Sequence, residues 1–173
     1  EHGWAHSGPG PHYNDGDTDP CRDKFTFYVE GFNLRSTDLN AFLALRQLKK
    51  LDNVVRIRHE NDTVYRRELA GVVGMQDPSG SYASTIGIGC VAKDRKQRDR
   101  IVEVLGNFDI ETRPIGTGSV ALQPFWVKRF GGSPTGSFPV AERIHHLGFQ
   151  LPNHQEMTEP DIVFICDVVR GAL

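Results

Sequence analysis

Leu39, Phe42, Leu45, Leu48, Leu51 and Val55 recur at three- and four-residue spacing, which lays one apolar stripe along a helix. Ile57, Val64, Tyr65 and Leu69 extend the pattern to about residue 70. The spacing therefore predicts a long helix over 36–70, with a bend near Asn61-Asp62. Ser36 or Thr37 serves as its N-cap, and Asp38 in the first turn complements the helix dipole. Directly before it stands Gly31-Phe32-Asn33-Leu34-Arg35, a glycine-led loop carrying one amide and one guanidinium. A helix start offers free backbone N–H groups and a positive dipole end, so this junction suits an anion such as a phosphate.

The remainder alternates between strand and helix signals. Residues 1–24 are rich in Gly, Pro, Asp and His and read as irregular, and residues 25–29 alternate in polarity as a short strand does. Residues 71–80, with three glycines and Asp77-Pro78, read as a connection. A strand is expected over 82–91, then a charged helix over 94–105 with Ile101, Val102 and Leu105 inward, then a strand over 107–113 ended by Pro114. Residues 116–118 and 131–136 read as loops, 140–146 as a short helix and 148–151 as a short strand. Thr158 caps the last helix, Pro160 suits its first turn, and Ile162, Ile165, Cys166 and Val169 face inward. The fold class is thus α/β, or α+β: a small mixed sheet packed with helices. We expect an irregular segment and loop over 1–35, the long helix as a spine over 36–70, and a small domain over 71–173.

Composition removes several function classes. The 173 residues carry a net charge of −2, and no tight Lys/Arg cluster stands outside 93–100, so the electrostatic footprint of a nucleic-acid binder is missing. No apolar run approaches the roughly 20 residues needed to span a bilayer, and no signal peptide is visible. Cys21, Cys90 and Cys166 are widely spaced and lack metal-ligand spacing, so a reducing cytoplasm is the expected setting. His2 and His6 are four apart with His12 nearby, but the Gly and Pro around them argue against the helix that would align them on a metal. Gly87-Ile88-Gly89 lies in a strand and lacks the third glycine of a dinucleotide loop. Ser119, Ser133 and Ser137 have no nucleophile-elbow context, and the adjacent His145 and His146 read as structural or solvated.

Gly31-Phe32-Asn33-Leu34-Arg35-Ser36-Thr37-Asp38-Leu39 resembles a motif of the DegT/StrS-type nucleotide-sugar aminotransferases, which depend on pyridoxal phosphate. Other matches run in the same order as in that family. His2-Gly3-Trp4 resembles its His-Gly pair, Gln47-Leu48 with Leu51-Asp52 its helix continuation, and Asp109-Ile110-Glu111-Thr112-Arg113-Pro114 its strand into the active-site cleft. Phe138-Pro139-Val140-Ala141, Leu151-Pro152-Asn153-His154 and Thr158-Glu159 with Asp161-Ile162 resemble its closing pattern. The chain departs from the family at Phe42, where a small residue is usual, and residues 8–20 have no close match.

The resemblance implies the C-terminal portion of a fold-type I enzyme, a homodimer with its active sites at the subunit interface. Asn33 would reach the cofactor phosphate of the neighbouring subunit, and Arg35 and Arg113 would contact a nucleotide-sugar substrate. The catalytic lysine or histidine is expected upstream of Glu1, and no lysine of this chain stands in that context. The resemblance thus implies amino transfer from an amino acid to a keto-deoxysugar nucleotide, with the 173-residue chain inactive alone. Sugar 3-dehydration is the alternative within the same chemistry. A non-catalytic remnant that binds or dimerises is the alternative outside it.

Overall fold

The computed structural model describes residues 37–132 and 136–173. Asn33, Arg35, the strand expected over 25–29 and the histidines at 2, 6 and 12 lie outside the described residues.

The long helix is two helices. α1 runs Asp38–Leu48 and α2 Leu51–Glu68, separated by a turn at Lys49-Lys50 in which the Lys50 N–H donates to the Gln47 carbonyl at 2.9 Å. Thr37 is the N-cap, its hydroxyl accepting from the Asn40 N–H at 3.3 Å. No bend occurs at Asn61-Asp62, which lie buried inside an unbroken α2. Such residues loosen a helix when their side chains compete for nearby backbone groups. Here those side chains are engaged elsewhere. Asn61 donates to the Asn153 side chain at 3.0 Å and to the His154 carbonyl at 3.1 Å, and Asp62 pairs with Arg66 at 2.6 Å.

The two helices differ in what covers them. On α1 the stripe residues Leu39, Phe42, Leu45 and Leu48 stay exposed, whereas Tyr65 and Leu69 at the far end of α2 are fully buried. Only α2 enters the core.

Among the described residues the sheet has three antiparallel strands in the order β1 (Gly74–Met75), β2 (Gly87–Val91), β3 (Gly148–Pro152), where a mixed sheet was expected. β1 falls inside the stretch expected to be a connection, and β2 fills only the second half of the strand expected over 82–91. α3 (Arg95–Asn107) starts at Asp94, whose carboxylate accepts from the Gln97 N–H at 2.8 Å. α4 (Pro124–Phe130) comes after a 3₁₀ turn at Val120–Leu122, then α5 (Pro139–Leu147) leads into β3. α6 (Glu159–Gly171) closes the chain behind a capping box in which Asp161 accepts from the Thr158 N–H at 2.8 Å. α6 packs against both α2 and α3, and the buried faces of the three helices join Ile88, Cys90, Phe149 and Leu151 of the sheet in one core. The Tyr65 hydroxyl, pushed well above its ordinary pKa by burial, donates to the Pro152 carbonyl at 2.9 Å and ties α2 to β3.

Residues 107–113 do not form a strand. α3 ends in a Schellman closure, the Ile110 N–H reaching the Leu105 carbonyl and the Asp109 N–H the Gly106 carbonyl, at 3.0 and 3.1 Å. Asp109 takes the left-handed position at φ 57°, where glycine is usual. Only Arg113 reaches the sheet, in a single antiparallel bridge to Gln150.

Cys90 and Cys166 are free and buried, and burial pushes both thiols up to about 12. An unfolded thiol titrates near 8.5, so above that pH the unfolded chain releases protons that the folded chain retains. The two thiols therefore leave stability untouched at pH 7 and lower it as pH rises from about 8.5 towards 12. At pH 8 the native chain is expected to leave both unreacted with a soluble disulfide reagent, and denaturant to expose both. Peptide mapping that finds native-state label on Cys90 or Cys166 contradicts this.

Candidate functional site

Of the three residues singled out in the sequence, the structure describes Arg113, on the edge of the sheet beside β3. Its backbone exchanges hydrogen bonds with Gln150 in both directions, the Arg113 N–H donating at 3.3 Å. Its guanidinium is 58% exposed and donates from Nε and Nη2 to one oxygen of Glu111, each at 3.2 Å. A fixed backbone and a solvent-facing planar cation make a fork suited to a phosphate or carboxylate.

The chain beyond Arg113 is anchored as firmly. Pro114 is buried, and the Ile115 side chain lies against two glycines, so that a Cβ built on Gly89 would stand 3.5 Å from Ile115 Cδ1 and one built on Gly148 only 2.9 Å. Gly116 and Gly118 take φ of 51° and 67°, a conformation that L side chains rarely adopt, and the Gly118 N–H closes the turn on the Ile115 carbonyl at 3.0 Å. Ser119 and Gln123 are each 3% exposed. The Gln123 amide donates to the Thr117 carbonyl at 2.8 Å, and the Ser119 N–H donates to His145 Nδ1 on α5 at 3.3 Å. Gln123 then caps α4, with Pro124 at its start.

The sequence marks residues 116–118 only as a loop, gives Ser119 no nucleophile context and reads His145 as structural or solvated; the structure gives His145 a structural bond to the Ser119 N–H. The available signal was the pair of glycines two apart, with Gln123-Pro124 after them as a helix start. Asn153, in the Leu151-Pro152-Asn153-His154 run, is a buried tie. It donates to the Thr85 and Arg58 carbonyls at 3.0 and 3.2 Å and accepts from Asn61. A separate groove of about 580 Å³ is lined by Lys93, Lys96 and Arg100, among others, and by none of the residues from Arg113 to Gln123. Two further polar groups at its wall are committed: Asp94 caps α3, and Gln97 Oε1 accepts from the Lys93 N–H at 2.7 Å. Among the described residues, no cluster of three or more His, Cys, Asp or Glu is placed to hold a metal, and no helix is long and apolar enough to cross a membrane.

Comparison with known proteins gives this geometry a setting. The chain is 28% identical over 160 residues to GDP-4-keto-6-deoxy-D-mannose 3-dehydratase of Yersinia pseudotuberculosis, covering 89% of this chain and 40% of that protein. It is 22% identical over 142 residues to GDP-perosamine synthase of Escherichia coli O157:H7, covering 82% and 37%. Its fold superposes on the E. coli GDP-4-keto-6-deoxy-D-mannose-3-dehydratase with bound hydrated PLP at a TM-score of 0.68, with 25% identity over 97% of this chain and 44% of the other. The chain thus spans less than half the length of these relatives. Residues 14–170 match the sequence profile of the DegT/DnrJ/EryC1/StrS aminotransferase family, and the chain belongs to that family.

Proposed function

We propose that this chain is the C-terminal part of a cytoplasmic, homodimeric, pyridoxal-phosphate-dependent enzyme that transfers an amino group to a keto-deoxysugar nucleotide. The observation that carries the reading is Arg113, an exposed guanidinium on a backbone locked to the sheet edge beside the 116–123 loop. Its role is to hold the anionic part of the nucleotide sugar, with Arg35 as a second cation. Asn33 would donate its amide to the cofactor phosphate across the dimer interface.

The lysines of the described residues do not fit the cofactor's covalent anchor. Lys49 and Lys50 turn between α1 and α2, Lys93 and Lys96 stand at the start of α3, and Lys128 lies in α4. When bound, pyridoxal phosphate supplies an electron sink. The described residues bind and orient, and no chemical step is assigned to them. The 173-residue chain alone is accordingly expected to be inactive.

A second reading, sugar 3-dehydration, is favoured by the dehydratase among the similar proteins. The full-length protein, incubated with a GDP-linked 4-keto-6-deoxysugar and glutamate, separates the two. Amination replaces the keto oxygen by an amine and releases 2-oxoglutarate. Dehydration removes the 3-hydroxyl. Absence of both products and of cofactor from the purified protein leaves a non-catalytic remnant as the better reading.

Asn33→Ala in the full-length protein is expected to weaken cofactor retention by about 1.5–3 kcal/mol, the value of one charge-assisted bond. Equilibrium dialysis of pyridoxal phosphate measures it. Unchanged retention removes Asn33 from the phosphate site.

A further inference from the structure

We infer that His145 is a positioning residue for the Arg113 loop, which it grips through the unprotonated Nδ1 of its imidazole. The inference rests on the reading of Arg113 as a nucleotide-sugar contact. Among the described residues, the attachments of the segment from Arg113 to Gln123 include these four. The backbone bridge to Gln150 fixes Arg113 itself, and the contact of Ile115 with Gly89 and Gly148 fixes the chain two residues on. The Gln123 amide closes the loop on its own Thr117 carbonyl. The fourth is a side chain reaching in from another element: His145 of α5 accepts the Ser119 N–H at 3.3 Å.

Three circumstances give that bond weight. Ser119 is buried, so its N–H has little access to water, and a buried donor left unmade is costly. Gly116 and Gly118 on the near side are the most pliable residues of the segment, so the turn needs a fixed point beyond them. The bond also dictates the tautomer: Nδ1 accepts only while its proton is elsewhere, which leaves Nε2–H as the donor. His145 thus sets where the loop sits relative to Arg113 and touches no reacting atom.

The test uses the full-length protein with three substitutions. Asparagine places its amide oxygen near the position of Nδ1, glutamine places it near Nε2, and leucine has no acceptor. His145→Asn is expected to keep the amide hydrogen-exchange protection of the 116–123 peptide. His145→Gln and His145→Leu are expected to lose about tenfold, the worth of one net hydrogen bond. KM for the nucleotide sugar is expected to rise about tenfold in the Gln and Leu variants with kcat within twofold, and to stay near wild type in Asn. Equal behaviour of Asn and Gln overturns the inference even if the Leu variant fails to fold, because both are polar and only one reaches Ser119. Unchanged exchange in the Gln variant also overturns it. If the wild-type protein turns over no keto-sugar nucleotide, the functional reading of Arg113 fails, and the exchange measurement alone decides whether His145 holds the loop.

Discussion

Gly148→Ala is expected to be among the most damaging single substitutions in the described chain, lowering stability by about 3 kcal/mol. Gly148 joins α5 to β3, pairs with Val91, and is buried. A Cβ built there runs into the Ile144 carbonyl oxygen and stands 2.9 Å from Ile115 Cδ1. The second obstacle is the end of a side chain and can yield. The first is backbone held in α5, so relief requires the helix end to shift. Overpacking costs about 1–3 kcal/mol, and a clash with fixed backbone belongs at the top of that range. For a chain of this size the melting temperature should fall by roughly 6–12 °C. Gly106→Ala is the opposite case. No atom lies within 4 Å of its Cβ position and its backbone is helical in α3, so it should raise stability by about 0.5–1 kcal/mol. Thermal unfolding of the two variants beside wild type checks both signs. Equal melting temperatures would remove the case for a glycine-only seat at Gly148, closed by the Ile144 carbonyl and the Ile115 side chain.

That seat shows where the sequence was readable and where it was not. The sequence pattern found α3, α5, β3 and α6 to within a few residues: α3 and α6 each carry a side-chain cap and a buried apolar face, α5 opens on a proline, and β3 alternates in burial along most of its length. It failed at Asn61-Asp62, where local propensity favoured a bend and the tertiary partners Asn153 and His154, together with the Asp62–Arg66 pair one turn along the helix, outweighed it. It failed again at residues 107–113, because an aspartate can take the left-handed place of a Schellman closure that sequence rules reserve for glycine. The short helix α4 escaped because seven residues carry too little periodicity to register. Arg113 was singled out from its motif, and the structure places it on the sheet edge. The grip of His145 on Ser119 was not legible, since it joins a side chain to a backbone N–H 26 residues away.

Arg113→Ala in the full-length protein is expected to raise KM for the nucleotide sugar by about 10–100-fold, since charge-assisted bonds contribute about 1.5–3 kcal/mol and each 1.4 kcal/mol is tenfold. Stability should hardly change. The guanidinium is exposed and its ion pair with Glu111 is worth at most about 1 kcal/mol, while the bridge to Gln150 uses only backbone atoms that alanine retains. Arg113→Lys should recover only part of the loss, because an ammonium keeps the charge but not the planar fork. Glu111 sharpens the test. Both of its contacts fall on Arg113 Nε and Nη2, so an incoming phosphate competes with this carboxylate for the same donors. Glu111→Gln weakens the competitor and should lower KM. In an Arg113→Ala background the same change should do nothing, because the contested donors are gone. Steady-state kinetics on the four proteins of that cycle measures the coupling directly. A KM that ignores Arg113→Ala, or a Glu111→Gln effect that persists without Arg113, would place the substrate's anion elsewhere.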